Sequence, residues 1–143
     1  MSRLSTSLSQ IARPMLGGRL ARFVACLGLC AAYLQGGLVK LTDFPGAIAE
    51  MAHFGLAPAP LFAGMVIALE IIASIMILAG WYRWIGALAL GIFTLMATFV
   101  ALQFWSMPAG QARFFAANSF FEHLGLVGGF LLVIWQDLNE RRQ

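Results

Sequence analysis

The sequence predicts an all-α protein, a four-helix transmembrane bundle with a short amphipathic helix on its outer face between spans one and two. Three observations carry that prediction. Of 143 residues, 61% are hydrophobic and only 10% charged, far below the quarter usual in soluble domains. Four apolar stretches approach or exceed the roughly 20 residues that a helix needs to cross a hydrocarbon core. The basic residues cluster at the ends of those stretches rather than along a water-facing element, which excludes a nucleic-acid-binding surface.

Taken in order, the first span is expected at 21–41, the second at 61–80, the third at 84–105 and the fourth at 120–135. The fourth is short and should borrow flanking residues. Each must be helical, because lipid offers no partner to a free backbone N–H or C=O. The residues before the first span, 1–20, read as a cytoplasmic tail, 21–136 as the membrane domain and 137–143 as a second cytoplasmic tail. The opening apolar run is too long for a signal-peptide core and has no small-residue cleavage site, so it reads as an uncleaved span.

Orientation follows from the positive charges. With four spans, both tails and the middle turn share one side, which holds Arg3, Arg13, Arg19, Arg22, Arg83, Arg141 and Arg142. The other side holds Lys40 and Arg113. Seven against two places both termini in the cytoplasm of an inner membrane.

The connections have their own signals. In TDFPGAIAEMAHFGLAPAP, Asp43 can cap a helix with Pro45 in its first turn. Phe44, Ile48 and Met51 share one face of that helix, with Glu50 and His53 elsewhere around it. Trp81-Tyr82-Arg83 is a tight turn joining spans two and three. Residues 106–118, with Pro108, Gly110 and Arg113, read as a longer outer loop. Trp81, Tyr82, Trp84, Trp105 and Trp135 fall near span ends, as an aromatic belt requires. Gly28, Ala32 and Gly36, and Gly125 with Gly129, repeat at helical spacing; packing within the bundle is favoured over a homo-oligomer interface. Cys26 and Cys30, four apart on one helix face, read as buried free thiols.

Glu70 is the most informative residue. It stands midway along span two, where an ionised carboxylate is costly, and intramembrane ionisable groups mark functional sites by default. By depth, its candidate partners are Lys40 and Gln35 on span one, Gln103 at the end of span three, and Glu122 and His123 at the start of span four. All occupy the outer half of the bundle, which predicts one polar pocket opening outward. Lys40 reads equally as an interfacial anchor, and His123 as a capping residue. Two isolated histidines make neither a zinc nor a haem site, so no metal is expected. No phosphate loop, dinucleotide motif or nucleophile triad occurs.

Several segments together resemble the DoxX family of small bacterial membrane proteins. They are GGLVKLTDFPG at 36–46, FGLAPAP at 54–60, Glu70 within span two, GWYRW at 80–84, Phe104-Trp105, and NSFFEHLGLVGGFLLV at 118–133. The resemblance runs from about residue 20 to 135. It implies a four-helix membrane bundle and a connection to quinone redox chemistry, since the family takes its name from a subunit linked to thiosulfate:quinone oxidoreduction. Most members have no established activity. Lys40, Pro45, Gly55, Pro60, Glu70, Gly80, Arg83, Phe104 and Trp105 match its pattern. Leu102 stands where relatives often carry histidine, and Glu122-His123 where Lys-Asn is usual.

The leading expectation is therefore a quinone-linked redox subunit or accessory protein of a membrane oxidoreductase. Glu70, His123 and Lys40 would be its proton-handling residues, and Gln35, Gln103, Phe104, Trp105 and Glu122 would line the ligand site. Quinone is the expected cofactor. Electrons would have to come from a soluble or membrane redox partner. Two other classes stay open: a structural or assembly subunit, and a small proton-coupled transporter.

Overall fold

A computed structural model describes residues 17–142. Residues 1–16, with Arg3 and Arg13, and Gln143 lie outside the described residues. Among those described there are five α-helices, one 3-10 turn and no strand. Four of the helices are long and apolar enough to cross a membrane. They are α1 (Arg19–Thr42), α3 (Ala59–Ala79), α4 (Arg83–Ala101, extended by the 3-10 turn Phe104–Ser106) and α5 (Gln111–Glu140). Helix α2 (Phe44–His53) lies between the first two spans.

The local chemistry accounts for the breaks. Asp43 caps α2 by accepting a hydrogen bond from the Gly46 N–H at 3.1 Å, with proline in the first turn. Ala47 and Met51 are the buried residues of α2, and they cluster with Ala63 of α3 and the half-buried Ile48. Phe44, expected on that face, stays exposed because the buried stripe is centred one position further round. Pro58 and Pro60 open α3, and Gly80 closes it in the left-handed region at φ 76°.

The fourth span departs most from expectation. Residues 106–118 were expected to form an outer loop, yet α5 runs unbroken from Gln111 to Glu140, taking in flanking residues on both sides of the short apolar stretch, with the break confined to the residues around Pro108 and Gly110. Hydropathy reports preference for lipid, whereas helicity needs only the absence of breakers. QARFFAANSF has no proline or glycine, so the helix extends into the interface. Thirty residues make a helix of about 45 Å, longer than the roughly 30 Å hydrocarbon core. Exposed Phe114 and Phe115 lie on its projecting first turns.

The helices pack through heptad-like stripes. Cys26, Cys30, Tyr33 and Gly37 are buried on α1, and Ala63, Ile67, Glu70, Ser74 and Ile77 on α3. Tyr33, Ala73, Ile77, Leu90 and Phe130 share one central cluster with both cysteines, which are free thiols. The small-residue faces divide. Gly36 and Gly37 face α3, and Gly129 meets Leu29, whereas Gly28 and Gly125 face open space.

Candidate functional site

The expected polar pocket resolves into two separate clusters. In the seam between α1 and α3, the Lys40 ammonium donates to both Glu70 carboxylate oxygens at 3.3 Å. Glu70 is buried, 5% exposed, and the Lys40 side chain is 16% exposed. Lys40 therefore reaches its partner from the last turn of α1.

Two glycines make that meeting possible. A Cβ on Gly37 would lie 2.9 Å from the Ile71 side chain and 3.4 Å from Glu70 Cβ. The bare backbone lets α3 approach, the device of small residues at membrane helix interfaces. A Cβ on Gly36 would sit 3.4 Å from Lys40 Nζ and 3.6 Å from each carboxylate oxygen. No side chain of that residue stands in front of the ion pair. Ser74 lies one turn along the same face of α3 from Glu70, fully buried, with its hydroxyl beside the Cys30 thiol and no nitrogen or oxygen partner among the described residues.

The second cluster joins α1, α4 and α5. Tyr33 Oη lies 2.5 Å from Thr94 Oγ1, and Thr98 Oγ1 lies 2.9 Å from His123 Nδ1. Each threonine also donates to the carbonyl four residues earlier, Thr94 to Leu90 and Thr98 to Thr94, both at 2.6 Å. A hydroxyl has one proton, and here each is already committed. With the threonine protons on those carbonyls, Tyr33 donates to Thr94 and His123 donates its Nδ1–H to Thr98. In that assignment Nε2 is the acceptor atom of the histidine.

The remaining expected residues stand apart. Gln35 and Glu122 are exposed, and Gln103 is exposed with its amide donating to the Phe99 carbonyl at 3.2 Å. Phe104 and Trp105 belong to an aromatic cluster with Phe99, Phe120 and Phe121 at the α4–α5 seam. Lys40 and Glu70 are thus brought together, while His123 and the aromatic pair lie on the other seam. Depth arguments sort residues by height in the bilayer and carry no information about which way each helix is turned.

At the opposite end of the bundle, Asp137 was missed. It is buried, accepts the Trp84 backbone N–H at 3.2 Å and the Arg141 Nε–H at 3.0 Å, and so caps α4 from α5. Arg22 pairs with Glu140, which places the start of α1 beside the end of α5. A lone aspartate inside a stretch read as a tail gave no pattern by which to find this.

These features define a small helical membrane protein with an intramembrane ion pair. Residues 21–103 match the DoxX family, and the chain belongs to it. It is similar to the inner membrane protein YphA of Escherichia coli K12, at 27% identity over 123 residues covering 85% of this chain and 83% of the relative. No solved structure matches it. With four apolar helices, the chain is a multi-pass bacterial inner-membrane protein.

Proposed function

We propose that the Lys40–Glu70 pair is the proton-handling site of a quinone-linked redox subunit. The observation that carries this reading is a buried carboxylate whose side-chain partner is an ammonium, at a helix seam left uncovered by Gly36. Such a pair has two readily interchanged states, charged and neutral, because a proton can pass from nitrogen to oxygen within one contact. A quinone headgroup needs a donor at a carbonyl and a proton as each electron arrives. Lys40 supplies the first, and Glu70, after taking the shared proton, delivers one proton to the reduced headgroup and is reprotonated from the aqueous side before the second electron arrives. The electrons come from a soluble or membrane partner, since the chain has no redox motif of its own. His123 and the Phe104-Trp105 cluster lie on the α4–α5 seam and take no direct part in this reading.

The family resemblance supports the redox class, and the charge count supports cytoplasmic termini with the ion pair toward the outer face. The test is to purify the protein in nanodiscs of native lipid and quantify bound quinone by mass spectrometry, for the parent and Glu70→Gln. Stoichiometric quinone lost from a well-folded variant is the expected result. Background quinone in both would overturn the reading and leave the pair a helix-pinning contact in an assembly subunit.

A further inference from the structure

A cleft of about 460 Å³ opens at the other end of the bundle, where α1 and α4 begin and α3 ends. Three arginines, Arg19, Arg22 and Arg83, line it together with Phe23, Cys26 and Leu78. Two of the arginines already have partners: Arg22 holds Glu140, and Arg83 Nε donates to the Ile77 carbonyl at 2.8 Å. Arg19 is exposed and has no hydrogen-bond partner among the described residues. This end carries Arg19, Arg22, Arg83, Arg141 and Arg142 against Asp137 and Glu140, an excess of three positive charges among the described residues. Residues 1–18 contain no Asp or Glu.

We infer that this cleft holds the phosphate of an anionic phospholipid headgroup. Guanidinium groups match phosphate oxygens in geometry as well as charge. A basic pocket between membrane helices at the interface is the form such sites take. Leu20 and Phe23 stand exposed beside the arginines, giving the acyl chains an apolar surface that a soluble phosphate would not use. The first turn of α1 brings its helix N-terminus, with its partial positive charge, to the same end.

The test is native mass spectrometry of detergent-purified protein with phosphatidylglycerol, phosphatidylcholine or inorganic phosphate added. Phosphatidylglycerol should be retained over phosphatidylcholine, and Arg19→Gln should weaken retention about tenfold or more, the loss of one charge-assisted hydrogen bond to phosphate. Arg19 is exposed, so the variant should fold. Arg142→Gln, which removes the same charge at the same end but outside the cleft, should leave retention unchanged. Equal loss in Arg142→Gln would reduce the effect to diffuse surface charge and overturn the site. Equal retention of phosphatidylcholine would do the same, and inorganic phosphate displacing the lipid would replace the lipid with a soluble anion.

Discussion

The two polar clusters differ in how their protons are bound. In the α4 cluster every hydroxyl proton is committed: Thr94 and Thr98 donate to their own helix, and Tyr33 and His123 donate to the threonines. In the α1–α3 seam, a carboxylate and an ammonium share one contact and neither side chain has another hydrogen-bond partner among the described residues. The first arrangement holds helices in place, because each group is satisfied in one way. The second leaves two ionisable groups with one contact between them. Burial alone does not separate the two, since Glu70, Thr94 and Thr98 are all buried.

The comparison breaks most sharply at Lys40. Lys40→Met should destabilise the protein by about 3 kcal/mol or more while Glu70 stays ionised, because one member of a buried pair is left alone. Adding Glu70→Met should restore most of that loss. Thermal or denaturant unfolding in detergent measures both, and additive losses in the double variant would show that the two residues do not act as a pair.

Gly37→Ala comes next. Its new Cβ, 2.9 Å from Ile71, should force α1 from α3 and cost about 1–3 kcal/mol by overpacking. Gly28→Ala, which meets nothing within 4 Å, should be close to neutral in the same assay.

On the other seam, Thr98→Val removes the acceptor of the histidine N–H and should cost about 1 kcal/mol. It should also release the tautomer, so that nitrogen chemical shifts of His123 lose the pattern of a proton held on Nδ1. An unchanged pattern would show that Thr98 does not set it.

The smallest effect is expected far from both clusters. Asp137→Asn keeps an acceptor for Trp84 N–H but removes the charge facing Arg141, and should cost about 0.5 kcal/mol at this partly exposed pair. Asp137→Ala, which removes the α4 cap as well, should cost about 1 kcal/mol.

Much of this was legible in one dimension. Span number, the capped α2 and the tight turn at Trp81–Tyr82 followed from composition, an Asp-x-Pro signal and a break too short for a loop. Glu70 stood out because a carboxylate amid apolar residues has few innocent explanations. Lys40 was placed at the right depth, and the structure brings it to Glu70. The length of α5 was obscured because polar residues can extend a helix that hydropathy ends. Asp137 was obscured because a tertiary cap leaves no local pattern.

What the sequence by itself determined was therefore which residues enter the bilayer and in what secondary structure, since lipid tolerates no unsatisfied backbone. Only the tertiary structure decided which polar groups meet. Rotating a helix about its own axis leaves every depth unchanged while exchanging its neighbours. That rotation is set by the glycine contacts at Gly36, Gly37 and Gly129 and by the packing of Tyr33 on Phe130, all of them long-range. It puts Glu70 against Lys40, turns Gln35 outward and gives His123 to Thr98.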